Sequence, residues 1–395
     1  MFKTLKDLEV DGKTALVRVD FNCPLKNGAV TDDNRIVAAL PTIRDLLSRN
    51  AKLVLMSHLG RPKGQRNDKE SLAPVAQRLS QLLEARVKMA PDCIGGEVQE
   101  MVQALSPGEI LVLENLRFHA EEEKNDEGFA RQLAALADVY VNDAFGAAHR
   151  AHASTHAVAK LLPAAAGLLM EKELVELGRL LKDPARPFVA ILGGAKVSDK
   201  IGVLKNLAKL ADLILIGGGM AFTFLKIKGH DIGKSLCEKD LEACRQLWVE
   251  ANSHRAAIYL PADVAVASEI AEAASRTEVD VDAIPADMMG LDIGTKTIAQ
   301  FEALLQTAGT VFWNGPMGVF EVPPYDQGTL KVAQAIARSE AVSCVGGGDS
   351  AAAVRQMNLD EHITHVSTGG GASLEFLEGQ ELPGVAVLQS AAAAH

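Results

Sequence analysis

Little in this chain is aromatic, basic or long and apolar. Only 4% of its 395 residues are Phe, Trp or Tyr, while 48% are hydrophobic, so any core must be built from Ala, Leu and Val. That composition suits a globular α/β enzyme and excludes a disordered chain. The formal net charge is −11, whereas a nucleic-acid binder carries a basic excess or a dense basic stripe. No nucleic-acid partner is therefore expected, and any anion site has to be locally basic. No apolar run approaches the roughly 20 residues that cross a bilayer, and the opening MFKTLKDLEV lacks an apolar signal core. A cytoplasmic protein with no membrane partner is expected. The five cysteines, Cys23, Cys93, Cys237, Cys244 and Cys344, are odd in number and show neither C-x-x-C nor metal-type spacing, which predicts free thiols in a reducing compartment. The usual nucleotide fingerprints are missing too: no G-x-G-x-x-G opens a helix and no G-x-x-x-x-G-K-[ST] occurs. The near match GHDIGKS at 229–235 is one residue short and follows a helical stretch, so it reads as a surface connection.

What the chain does have is a regular alternation. Short apolar runs bounded by Gly, Pro, Asp or Asn fall at 15–19, 53–56, 110–113 and 139–141, then at 188–192, 213–216, 257–260, 311–313 and 342–345. Segments of helical period, among them 35–48, 72–83, 200–210 and 238–251, lie between them. This is the pattern of βα units around parallel sheets, and the length favours two domains. The run GLLMEKELVELGRLLK at 167–182 reads as one amphipathic helix between the two sets of strands. The predicted architecture is α/β: two Rossmann-like domains, each a parallel sheet flanked by helices, joined by that interdomain helix with a cleft between. The domains span 1–167 and 185–379, the helix spans 168–184, and residues 380–395 are expected to fold back onto the first domain.

The loops that end these runs differ in chemistry between the halves. The first half offers RVDFN, HLGR, ENLRF, VNDAF and HRAHAS; the second offers ILGGAK, LIGGGM, FWNGPMG and CVGGGDS. Arginine forks hold carboxylates and phosphates in a fixed geometry, and glycine lets backbone approach a polyphosphate. Ligands of open α/β sheets collect at the carboxyl ends of the strands, where these loops lie. The pattern implies two anion sites, one per half.

Taken together, RVDFN at 18–22, SHLGRP at 57–62, ENLRF at 114–118, NDAFGAAHRAHAS at 142–154, GGAKVSDK at 193–200, GGGMAFTFL at 217–225, WNGPMGVFE at 313–321, GGGDS at 346–350 and STGGGASLEFLEG at 367–379 resemble the phosphoglycerate kinase family. The resemblance implies phosphoryl transfer between 1,3-bisphosphoglycerate and ADP, giving 3-phosphoglycerate and ATP with Mg2+, and it implies a monomer. It implies that Asp20 and Asn22 hold the substrate hydroxyl and carboxylate, that His58, Arg61, Arg117 and Arg150 grip the phosphate that is not transferred, and that Arg35 reaches the reacting carboxylate. Lys200 then binds the nucleotide phosphates and Lys196 moves toward the group in transit; the two lie four residues apart, one turn of an incipient helix. Gly193, Gly194, Ala195, Gly217, Gly218, Gly347, Gly348 and Ser350 belong to the phosphate loops, and Leu291, Asn314, Pro316 and Glu321 to the nucleoside site. Trp313 and Phe320 read as packing residues. Asp349 is expected as the Mg2+ ligand, an N-cap being the competing role, and Gly370 and Gly371 open a helix toward the transferring group.

Two positions depart from the family pattern: Cys23, where valine is common, adds an oxidisable group if it is exposed, and Thr295, where proline is common, is expected to loosen its turn. Hinge closure about the interdomain helix is expected before transfer. A dehydrogenase using NAD is disfavoured by the missing fingerprint. A non-catalytic module binding nucleotide or metabolite on the same fold is the alternative reading, since a fold alone never proves activity.

Overall fold

The computed structural model describes residues 2–272 and 276–393. The chain divides into two compact units. One comprises the residues up to Val175 together with those from Glu381 onward, and the other runs from Glu176 to Gln380. The helix Leu168–Lys182 is present, but the division falls inside it, between Val175 and Glu176, and not at its two ends.

In the first unit six parallel strands form one sheet in the order Val87–Met89, Ile110–Val112, Lys52–Met56, Thr14–Arg18, Val139–Asn142, Ala164–Ala166. The central strands are buried almost throughout, which is why their sequences are continuous apolar runs without alternation. Helix Asn34–Ser48 lays Ile36, Ala39, Leu40, Ile43 and Leu46 into the core, at the spacing of one helical face. The strands on either side of Thr14–Arg18, Lys52–Met56 and Val139–Asn142, are reached by the chain in opposite directions. That makes the carboxyl end of Thr14–Arg18 the crevice where ligands of such sheets sit. Residues from Pro383 onward close the same unit, with the Gly384 amide donating to the Ala148 carbonyl at 2.9 Å.

The second unit has the strand order Ala257–Tyr259, Leu213–Ile216, Phe188–Leu192, Thr310–Asn314, Val342–Gly346, His365–Val366. Numbered along the chain this is 3-2-1-4-5-6, the doubly wound order of dinucleotide folds, and its switch point lies between Phe188–Leu192 and Thr310–Asn314. The short edge strand His365–Val366 was not foreseen, and neither was a second sheet. Asp263–Ala267, Thr277–Asp280 and Met289–Ile293 form a separate antiparallel sheet, with Asp263–Ala267 in the middle. No strand was expected between 261 and 294, and Thr277–Asp280, largely exposed, has no apolar face to mark it.

Candidate active site

In the first unit the expected substrate residues converge on the carboxyl edge of the sheet, around an arginine that the sequence reading passed over. Arg18, the last residue of its strand, is fully buried. Its Nε donates to Ser154 Oγ at 2.9 Å, an Nη1 hydrogen goes to the Val19 carbonyl, and Nη2 meets His58 Nδ1 at 3.0 Å. A guanidinium can only donate, so His58 Nδ1 is the acceptor and the ring proton sits on Nε2. Burial, reinforced by Arg18 and further by Arg117 and Arg35 against the pull of Asp20, drives the His58 pKa well below its usual 6.5. His58 is thus a neutral hydrogen-bond donor, not a cation.

Ser154 passes the contact on: its Oγ lies 2.6 Å from Glu122 Oε1 and its amide 2.9 Å from Glu122 Oε2. Glu122 is completely buried. Burial raises its pKa, while Arg18 and the two bonds from Ser154 hold the carboxylate form in place. The sequence pattern ENLRF followed by AEEE gave no sign of this, because three consecutive glutamates in a first helical turn usually face water.

Asp20 accepts from Arg35 Nη1 and, at 3.2 Å, from the Asn22 amide. Burial acts to raise its pKa, but Arg35, Arg18 and the Asn22 amide prevail and the net shift is downward. Asn22 Oδ1 accepts the Gly60 amide at 2.9 Å. Arg117 is half-buried and donates to the Gly60 carbonyl at 2.9 Å, with Glu123 at 3.6 Å. Its pKa is lowered chiefly by burial, and Arg18 and Arg61 add to the effect. Arg61 and Arg150 are exposed. Arg150 acts with Arg117, Arg18 and burial, the largest cause, to bring the His152 pKa down to about 4. The structure therefore gathers Asp20, Asn22, Arg35, His58, Arg61, Arg117 and Arg150 into one cation-rich cluster. Cys23 adds nothing to its reactivity: it is buried, and desolvation pushes its pKa up to about 12.

The loops are pinned by buried acids and amides. Asn115 donates to the Leu59 and Glu70 carbonyls at 2.7 and 2.8 Å and accepts from the Arg117 amide at 3.0 Å. Glu114 accepts from the Leu72 amide and the Ser71 hydroxyl. In ENLRF, then, the first two residues build the frame and the arginine uses it.

In the second unit the glycines bring three loops into contact. The amides of Gly193, Gly194, Gly217 and Gly218 donate to the carbonyls of Asn314, Pro316, Leu192 and Met317 at 2.9–3.0 Å. These four amides are engaged by backbone carbonyls. Glycine is required because three loops touch: a Cβ on Gly193 would lie 2.1 Å from the Pro316 carbonyl oxygen. A Cβ on Gly218, whose φ is +65°, would lie 2.6 Å from the Gly194 nitrogen. The free amide donors are instead at the start of helix Gly348–Gln356, which has Gly347 as N-cap and no side-chain cap.

These loops border a cavity of about 420 Å³ with mostly apolar walls, lined by Gly194, Ala195, Gly218, Leu291, Pro316, Glu321 and Asp349 among the expected residues. Phe222 and Lys234 also line it. Lys234 belongs to GHDIGKS, so that segment is both a surface connection and a wall of the cavity. Its place in the cavity wall was not expected, because the segment is one residue short of a P-loop and follows a helix.

Lys200 Nζ is hydrogen-bonded to Asn314 Oδ1, and Asn314 Nδ2 donates to the Gly346 carbonyl at 2.8 Å. Asn314 is buried with both ends of its amide engaged, which makes it a holder of Lys200. Burial lowers the Lys200 pKa, opposed by Asp199 and Asp349. Lys196 is exposed in the loop before the helical turn Ser198–Lys200, so the two lysines do not share one helical turn. Ser350 is buried, its Oγ accepting the Gly315 amide at 2.6 Å. Asp349 is exposed at the second position of its helix, and Gly347 takes the N-cap. Its carboxylate is therefore not used as the cap. Gly370, with φ +53°, caps the short helix Gly371–Leu377, and Gly371 is exposed. Trp313 is fully buried and Phe320 packs against the same core. Thr295 does not loosen its turn: its amide donates to Glu278 Oε2 at 3.0 Å, a bond proline could not make.

Comparison with known proteins gives this geometry a family. The phosphoglycerate kinase family profile matches residues 5–380. Phosphoglycerate kinase of Dictyoglomus turgidum is 56% identical over 387 residues, and that of Moorella thermoacetica 57% over 386, each match covering 98% of both chains. The structure of phosphoglycerate kinase from Coxiella burnetii superposes with a TM-score of 0.90 at 43% identity, and that from Pyrococcus horikoshii with 0.88 at 35%, both covering 100% of either chain. The chain belongs to the phosphoglycerate kinase family.

Proposed function

We propose that the cation cluster around neutral His58 holds phosphoglycerate, and that the cavity beside Lys200 holds the nucleotide with its Mg2+. The reaction is that of the family: a phosphotransferase with a carboxyl acceptor, which moves a phosphoryl group reversibly between 1,3-bisphosphoglycerate and ADP to give 3-phosphoglycerate and ATP in glycolysis. The non-catalytic alternative finds no support.

In the direction from ATP the acceptor is a carboxylate, ionised at neutral pH, so no general base is needed. The residues have to align the reactants and offset charge. The observation that carries the reading is one cavity wall that unites the loops of both switch-point strands, Leu291 of the antiparallel sheet, Glu321 and Asp349. Its apolar side suits a base and its glycine rim suits phosphates. Lys200, fixed by Asn314, and Lys196 supply positive charge there, with the helix starts at Gly348 and Gly371 adding amide donors. Asp349 fits Mg2+, which takes one or two carboxylates and completes its shell with phosphate oxygens and water. When bound, the ion neutralises phosphate charge. In the first unit Arg35, oriented by Asp20, faces the reacting carboxylate, while Arg61, Arg117, Arg150 and the His58 Nε2–H hold the phosphate that stays.

A coupled assay of ATP-dependent 3-phosphoglycerate consumption tests this. Arg35→Ala should lower kcat by about 10²-fold or more with folding intact. Asp349→Asn should raise the Mg2+ requirement and the KM for ATP without changing that for 3-phosphoglycerate. Equal effects on both KM values would overturn the division of labour. The protein is expected to act as a monomer in the cytoplasm, which sedimentation tests; among the described residues no helix is long and apolar enough to cross a membrane.

A further inference from the structure

We propose that Asp92, Cys93 and His119 form a binding site for a borderline-soft divalent cation, Zn2+. The three donors come from two loops that follow adjacent strands, Val87–Met89 and Ile110–Val112. Because His119 stands well apart from the Asp92–Cys93 pair in sequence, cysteine spacing gave no sign of the site. Their ligand atoms all lie within 4.8 Å of one another.

The donor set decides the metal. Mg2+ and Ca2+ take oxygen ligands, whereas thiolate together with imidazole selects zinc and its neighbours. One carboxylate and one thiolate balance the charge of Zn2+, and three protein ligands leave a fourth position for water. Around a tetrahedral zinc these atoms sit about 3.3–3.6 Å apart. Asp92 Oδ1 and His119 Nε2 are now hydrogen-bonded at 2.7 Å, so the pair has to open by about half an ångström to admit the ion. Both side chains are partly exposed and free to do so, while Cys93 is fully buried behind them. Zinc would therefore enter from the solvent side.

The surroundings hold the ligands in place, with the Arg66 guanidinium nearby, donating to the Pro91 carbonyl at 2.8 Å. The Cys93 amide donates to Asp92 Oδ1 at 2.6 Å, and the Phe129 ring lies 5.4 Å from that of His119. The Glu122 carboxylate contributes to the negative field at Cys93. The free thiol is protonated, so binding would release its proton. The bound ion would staple the loop at 90–93 to the loop at 114–119, which carries Arg117.

The test uses the full-length protein, stripped with a chelator and titrated with Zn2+ against a chromophoric competitor. One site per chain with micromolar or tighter affinity is expected, weakened at least tenfold by Cys93→Ser and by His119→Gln but not by Cys237→Ser. X-ray absorption of the zinc-loaded wild type needs no variant and should count one sulfur among four ligands. A shell without sulfur, or affinity unchanged by Cys93→Ser, would overturn the proposal, as would the absence of a site at micromolar zinc.

Discussion

Replacing Arg18 with methionine keeps most of the apolar stem of the side chain and removes a buried cation. Glu122 remains, fully buried, with the Ser154 hydroxyl and amide as its hydrogen-bond donors and Arg117 as the cation still acting on it. Removing one partner of a buried charge system costs about 3–5 kcal/mol, because the other charge is stranded. Glu122→Gln should cost less, about 1–3 kcal/mol, since the amide still accepts from Ser154. The double variant should then fall short of the sum by about 1–3 kcal/mol. The pH dependence has a definite sign. The Glu122 pKa is already raised above 4.5, so its contribution to stability is complete below that value and is lost as pH rises through the raised one. Without Arg18 the pKa rises further, and the deficit of Arg18→Met should widen from pH 5 to pH 8.

The assay has to see the right unit. Both tryptophans, Trp248 and Trp313, lie in the second unit, so fluorescence is blind to this change. Amide hydrogen exchange in Thr14–Arg18 and Val139–Asn142 reports the opening of the first unit. Exchange there should accelerate by about 10²- to 10³-fold, at 1.4 kcal/mol per factor of ten, with the tryptophan transition unmoved. Additivity of the two substitutions within about 0.5 kcal/mol would show that Arg18 and Glu122 are not coupled and would refute the reasoning.

Three more substitutions probe side chains and glycines that act on the backbone. Asp143 Oδ1 accepts the amides of Leu169 and Met170 at the start of helix Leu168–Lys182, and burial lifts its pKa to about 7. Its contribution is present below the usual 3.8 and fades as pH rises through 7, so Asp143→Asn should gain on the wild type between those limits, by about 4 kcal/mol at most; parallel denaturation profiles at pH 5 and pH 8 would rule this out. Gly218→Ala places a methyl group 2.6–2.7 Å from backbone atoms of Gly194 and Pro316, and calorimetry should show nucleotide affinity falling at least tenfold. Gly178→Ala, which meets nothing within 4 Å inside its helix, should be neutral or stabilising by up to about 1 kcal/mol.

Most of the parallel framework was legible because its strands are short apolar runs ending in polar loops. Two strands of the first sheet were not. Ala164–Ala166 carries no β-branched or aromatic residue, and Val87–Met89 is only three residues long. The antiparallel sheet escaped for a related reason, since its pairing lies in tertiary contacts that no local pattern records. In the site, Arg35, Arg61 and Arg117 stood out as charges after strands. Arg18 did not, because a charge in the last position of a buried strand looks like the first residue of the loop. Its depth is set by partners more than a hundred residues away at Ser154.

On the proposed reading, the two units hold their anions in different materials. In the first, side chains do the holding, and their positions depend on a buried polar frame of Arg18, Ser154, Glu122, Glu114 and Asn115. Such a frame is costly to break and insensitive to the exposed residues it supports, so substitutions at Arg61 or Arg150 should touch binding and leave folding alone. In the second, the cavity is shaped by main chain packed against main chain at Gly193, Gly218 and Gly315, where a Cβ has no room. There the same methyl group that changes the ligand site also changes the fold. A survey of substitutions across both sites should therefore separate activity from stability in the first unit and fail to separate them at these glycines.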